Sequence, residues 1–219
     1  MPPRLVDFRS GTPAPDLLQA VVRHLRAEGI VAMPTETVYG FSCLLQDSPL
    51  REVRRLKGRE GHRPFLLLIP HAGEASDLEW TPQARELAEA FWPGALTLVL
   101  RDPCHRFPDG VRSAQGGVAV RVSPHPVARA VVELAGEAMV STSANPPGGL
   151  PAMSGPEALD TSVALGAGET LWILDGGLLP PSDPSTIVDC SGPEPLVRRV
   201  GAIPLNRLRC VLPELHDPA

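Results

Sequence analysis

The sequence predicts an α+β fold, a twisted sheet of parallel and antiparallel strands flanked by helices. Three observations carry that expectation. Short apolar runs at 30–33, 65–69 and 96–100 are bounded by turn residues, as buried strands are. Segments of helical period separate some of these runs but not all, so strict β-α-β alternation is broken. The strand candidates at 186–189 and 196–200 lie too close together for a helical crossover and should pair antiparallel.

The elements follow in chain order. Leu17, Leu18, Val21, Val22 and Leu25 recur at helical spacing, and Gly29 supplies a stop, predicting a helix over 14–28. The strand at 30–33 runs into Pro34-Thr35-Glu36-Thr37-Val38-Tyr39-Gly40, read as a turn. An arginine-rich helix is expected at 50–57 and a buried strand at 65–69. A helix at 82–92 has proline in its first turn. Strands are expected at 95–101 and 118–122, a helix at 126–135 stopped by Gly136, and strands at 138–141, 171–174, 186–189 and 196–200. A short helix at 204–211 closes the series. One domain is expected across 1–219, with its core at about 14–203 and no additional C-terminal domain. The long loops at 102–117 and 176–184 are rich in Gly and Pro and are candidates for function.

Composition narrows the classes. Of the 219 residues, 43% are hydrophobic and 21% charged, which suits a soluble globular protein with a real core. The 26 prolines and 20 glycines make many connections rigid turns. The net charge of −5 argues against a chain whose main task is gripping nucleic acid and favours small-molecule chemistry, without excluding a local basic patch. The four cysteines form no CxxC and no zinc-like spacing, so they read as reduced thiols and no metal site is expected. No stretch is long and apolar enough for a membrane span, and no signal core opens the chain, so a cytoplasmic protein is expected.

Four clusters could carry chemistry. At 34–40, two threonine hydroxyls and the Glu36 carboxylate follow a strand and could hydrogen-bond an amino acid, a carboxylate accepting from an ammonium. The plain alternative is a capped turn. At 51–63 stand six Lys/Arg against two Asp/Glu, a local balance of +4 in an acidic chain. Lys57, the only lysine, and Arg59 straddle Gly58. They could hold a triphosphate, unless the stretch is simply a solvated helix face. At 141–149, Ser141-Thr142-Ser143-Ala144-Asn145-Pro146-Pro147-Gly148-Gly149 can offer side-chain and backbone donors to phosphate or to an adenine edge, or be an ordinary loop. At 184–189 and 198–201, Ser185 and Thr186 open one strand and an arginine ends the next, which a simple hairpin would also do. No Walker A or GxGxxG sequence occurs, so any nucleotide site is not of the usual glycine-loop kind.

Together the clusters resemble the YrdC/YciO family and its threonylcarbamoyl-AMP synthases. The matching stretches are PTETVYG at 34–40, KGR at 57–59, WPGALTLVL at 92–100, VAVRVSPHPVAR at 118–129, STSANPPGG at 141–149, PSTIVD at 184–189 and RRVG at 198–201. The resemblance implies a YrdC/RibB-like fold with a deep, positively lined cleft. It implies that L-threonine, bicarbonate or CO2 and ATP become threonylcarbamoyl-AMP and pyrophosphate, with Mg2+ accompanying the triphosphate. A downstream tRNA threonylcarbamoyl-transfer complex would then be the partner. It further implies catalytic roles for Lys57 and Arg59. A threonine site would comprise Thr35, Tyr39, Arg59, Thr97 and Arg121, with Tyr39 walling the pocket. A nucleotide site would comprise Lys57, Arg59, Ser143, Asn145, Ser185 and Arg199. Glu60 departs from the family pattern, putting a negative charge beside the Lys57–Arg59 pair. Two alternatives stay open: a YciO-type relative with a different carbamoyl or adenylate reaction, and an RNA-binding or ribosome-maturation module, for which some weak RNA contact is allowed.

Overall fold

The structure is a computed structural model that describes residues 1–10, 14–58 and 64–215. Arg59 and Glu60, both weighed above, lie outside the described residues. Ten strands form one sheet. They are β1 (Arg4–Asp7), β2 (Ile30–Pro34), β3 (Tyr39–Leu44), β4 (Leu66–Leu68), β5 (Leu96–Arg101), β6 (Gly117–Arg121), β7 (Met139–Ser143), β8 (Leu171–Asp175), β9 (Thr186–Asp189) and β10 (Leu196–Arg199). Their order across the sheet is β1-β8-β2-β3-β7-β4-β6-β5-β9-β10. The pairs β1/β8, β2/β8, β4/β6 and β5/β9 are parallel, and the remainder antiparallel. The expected mixed sheet is therefore present, and β9 and β10 pair antiparallel as their spacing requires.

The helices are α1 (Pro15–Arg26), α2 (Asp47–Leu56), α3 (Pro82–Phe91), α4 (Pro126–Ala135), α5 (Gly155–Ala164) and α6 (Leu205–Arg209). Several begin as the sequence dictates. Thr81 Oγ1 accepts from Ala84 N ahead of Pro82, and Ser154 Oγ accepts from Glu157 N ahead of Pro156. Helix α4 ends on Gly136 at φ 70°, a left-handed stop that glycine takes without strain. None of the described helices is long and apolar enough to cross a membrane.

Strand parity divides the core. Tyr39, Phe41, Leu67, Leu98, Val120, Val140 and Val188 face one side of the sheet and pack in a large cluster with Val53 and Leu56 of α2 and Leu87 of α3. On the other side, α1 and α4 cover Val31, Met33, Leu44, Leu68, Met139 and Leu174 with Val21, Leu25, Val131 and Val132. The same parity carries this second face onward, beyond those helices, to smaller and polar residues. Leu44 gives way to Ser42 and Gly40 along β3 and Met139 to Ser141 and Ser143 along β7, while β4 continues from Leu68 to Leu66 at the cavity floor. Ser42 pairs with Ser141, and Gly40 with Ser143. This open stretch of sheet is where the site forms.

All four cysteines are free. Burial pushes the Cys43 and Cys190 thiols up to about 12, so both stay protonated and unreactive near neutrality.

Candidate active site

A cavity of about 230 Å³ sits on the uncovered stretch of sheet. Its lining includes Thr35, Thr37, Gly40, Thr97, Arg121, Ser141, Thr142, Ser143, Ser185 and Arg199. These positions come from five strands, the β2–β3 turn and Ser185 just ahead of β9, so distant motifs converge on one hollow. A larger cavity of about 720 Å³ lies elsewhere, lined by Trp80, Trp92, Arg85, Glu89, Arg129 and Glu133 among others. It reaches the ends of the 92–100 and 118–129 stretches at Trp92 and Arg129 but contains none of the residues assigned above to the threonine or nucleotide site.

The β2–β3 turn shapes one wall. Thr35 Oγ1 donates to Val38 O at 2.8 Å and lies 3.0 Å from Thr37 Oγ1. Thr37 Oγ1 also accepts from an Arg121 Nη at 3.1 Å. The two hydroxyls thus tie the turn to β6. Gly40 permits the close pairing with β7, because a Cβ there would lie 3.0 Å from Ser141 Oγ and 3.1 Å from Thr142 O.

The opposite wall is built on β5, β9 and β10. Thr97 and Ser185 hydroxyls lie 2.9 Å apart. Arg199 donates through Nε and Nη to Ser185 O at 3.0 and 2.7 Å, which fixes its fork along the wall. Thr186 Oγ1 accepts from Gly201 N and Ile203 N and donates to Ile203 O, folding the chain after β10 back over β9. Burial first, and the nearby Arg121 charge second, hold the Arg199 guanidinium below its ordinary range. It remains charged at neutral pH. Two cations in a half-buried hollow disfavour each other, and a bound anion relieves that repulsion.

Lys57 approaches from the end of α2. It is 6% exposed, and its Nζ donates to Ser143 O at 2.7 Å, Asn145 O at 3.0 Å and Asn145 Oδ1 at 2.5 Å. Asn145 Oδ1 also accepts from Ser143 Oγ at 2.5 Å, and Asn145 Nδ2 donates to Gly149 O at 2.7 Å. Lys57 and Asn145 therefore brace the 143–149 turn directly behind the cavity wall to which Ser143 belongs. Gly58 follows at φ +54°, and a Cβ there would meet Pro147 at 2.9 Å, so glycine lets the two motifs touch.

Tyr39 corrects the sequence reading. It was expected on the pocket wall, but it is fully buried on the far face of the sheet. Its hydroxyl donates to Gly177 O at 2.6 Å and accepts from Gly176 N at 3.1 Å. Burial, with the Asp175 charge adding to it, raises this phenol well above its ordinary range, so it stays neutral. The Tyr39→Phe variant is expected to lose about 1–2 kcal/mol of stability, a fall of a few degrees in Tm, with turnover within about twofold of wild type. A large loss of turnover with unchanged Tm would return Tyr39 to the site. Thr37, Ser141 and Thr142 also line the cavity; the sequence offers their hydroxyls within the 34–40 and 141–149 clusters without giving any of them a site role. Ser123, inside the 118–129 stretch, has no role in the sequence reading and stands beside the site, donating to Glu36.

Fold and cavity together define an α+β protein with an arginine- and hydroxyl-lined hollow on the open part of a mixed sheet. The chain belongs to the Sua5/YciO/YrdC family, whose model, described as Telomere recombination, matches residues 23–201. It is similar to the threonylcarbamoyl-AMP synthase of Bacillus subtilis strain 168, 31% identical over 92% of this chain. It is also similar to that of Chromohalobacter salexigens, 37% identical over 84% of this chain. It spans 58% of the length of the Bacillus protein and 97% of the Chromohalobacter one. The solved structure of Pyrococcus abyssi Sua5 complexed with L-threonine matches with a TM-score of 0.86 at 28% identity, covering 99% of this chain and 63% of that one.

Proposed function

We propose that this chain is a threonylcarbamoyl-AMP synthase, an adenylate-forming nucleotidyltransferase acting in the cytoplasm. The observation that carries the reading is the convergence of Arg121, Arg199 and the Thr35, Thr97, Ser143 and Ser185 hydroxyls on one cavity. The names of its relatives and the threonine complex of a similar structure support the choice of substrates. L-Threonine's amine attacks CO2, derived from bicarbonate, and loses a proton to give a carbamate. A carbamate oxygen then attacks the α-phosphorus of ATP, and pyrophosphate leaves. No covalent enzyme intermediate is needed, so positioning and charge neutralisation carry most of the rate.

In this scheme Thr35 and Arg121 receive the amino acid, Arg121 taking its carboxylate. Ser143, Ser185 and Arg199 receive the phosphates and the adenylate, and Lys57 and Asn145 hold the turn that presents Ser143. Arg59 is assigned to the triphosphate and carboxylate on its motif alone. Magnesium would arrive with the triphosphate. Among the described residues no group of three His, Cys, Asp or Glu side chains could hold a metal ion. The product passes to a tRNA threonylcarbamoyl-transfer complex.

The test is release of pyrophosphate from ATP in bicarbonate buffer with and without L-threonine. Threonine is expected to stimulate release strongly. No stimulation would overturn the reading. Serine should leak through to some degree, since one methyl group gives about 1–3 kcal/mol of discrimination.

A further inference from the structure

Arg121 is 3% exposed and lines the cavity, yet its guanidinium is gripped from only one side. Glu36 Oε1 stands 2.6 Å from an Arg121 Nη as an ion pair, and Thr37 Oγ1 accepts from the same nitrogen at 3.1 Å. The Arg121 Nε is buried and has no hydrogen-bond partner among the described residues. A buried donor left in that state carries an uncompensated desolvation cost, which an incoming acceptor removes. Glu36 is itself tethered. Its Oε2 accepts from Ser123 Oγ at 2.5 Å, and Ser123 Oγ accepts from His125 N at 3.2 Å, at the start of α4. The line runs from the α4 N-terminus through Ser123 and Glu36 to Arg121.

We infer that Glu36, held by Ser123, is a positioning residue that aims the Arg121 guanidinium at the carboxylate of the bound amino acid. The inference rests on the assignment of Arg121 to that carboxylate. Glu36 opposes the push of the second cation, Arg199, and holds the guanidinium at the cavity wall. An arginine released from Glu36 keeps its charge but loses its direction, and misplacement of about 1 Å in a positioning group is enough to cost about a hundredfold. The loss should therefore fall on the amino acid and spare the nucleotide.

The test uses the intact chain and the variants Glu36→Ala, Glu36→Gln and Ser123→Ala. Glu36→Ala is expected to raise the KM for threonine at least about tenfold, with the KM for ATP within about twofold. Glu36→Gln keeps an acceptor for the guanidinium and should recover at least threefold of that loss, about half on a logarithmic scale. Ser123→Ala should show the same pattern more weakly. Equal damage to both KM values and to kcat, or no advantage of Gln over Ala, would overturn the inference. Crystal structures of wild type and Glu36→Ala provide a readout independent of activity. The guanidinium of Arg121 is expected to move by about 1 Å or more, and an unmoved guanidinium would overturn the positioning role whatever the substrate. Failure of threonine to stimulate the wild type would instead sink the functional reading, which separates the two.

Discussion

Lys57→Ala is expected to lower threonine-dependent pyrophosphate release by at least about a hundredfold, with far-ultraviolet circular dichroism unchanged. The ammonium gathers two main-chain carbonyls and the Asn145 amide oxygen around one point. Without it Asn145 O loses its donor, while Ser143 O keeps Asn145 N and Asn145 Oδ1 keeps Ser143 Oγ; a buried acceptor left unmet costs about 1–3 kcal/mol. The 143–149 turn then relaxes and takes Ser143 off the cavity wall. Lys57→Arg should not rescue, because a planar fork cannot satisfy three oxygens converging on a compact charge. Near-normal turnover in Lys57→Ala would remove this residue from the machinery.

Gly201→Ala is expected to damage both stability and turnover, although Gly201 is not part of the cavity lining. The added Cβ would lie 2.0 Å from Pro184 O and 2.9 Å from the Ser185 carbonyl, and both obstacles are backbone. Relief requires the 184–185 segment to shift, and that segment carries the Ser185 oxygens on which Arg199 is anchored. Overpacking of this kind costs about 1–3 kcal/mol, so Tm should fall by several degrees and turnover by more than about tenfold. Differential scanning fluorimetry and the pyrophosphate assay would check both, and a variant with wild-type Tm and turnover would contradict the contact.

Much of the sheet was legible because apolar runs such as 65–69 and 96–100 are short, continuous and bounded by turns. Three elements were not. Strand β1 is a four-residue edge strand, Arg4–Asp7, with a charged residue at each end, so it has almost no apolar period. Helix α5 is made largely of small and polar residues and buries only Gly155, Ala158 and Ser162, leaving no strong amphipathic stripe. Strand β3 was hidden inside a motif. Reading 34–40 as one turn put Tyr39 beside Thr35. In the fold a strand begins at Tyr39, and its period of two sends Tyr39 into the core and Gly40 to the cavity. The sequence named Thr35, Thr97, Arg121, Ser143, Ser185 and Arg199, and the fold brings all six to one hollow. What spacing could not reveal was which oxygens the cations meet, because that depends on register between strands far apart in the chain.

Because the chain carries a single ε-amine, nitrogen-15 labelling of lysine yields one side-chain ammonium signal, and that signal reports from the 143–145 turn. A titration of ATP or threonine against such a labelled sample would follow events at the pocket wall without a mutation, a dye or a coupled assay.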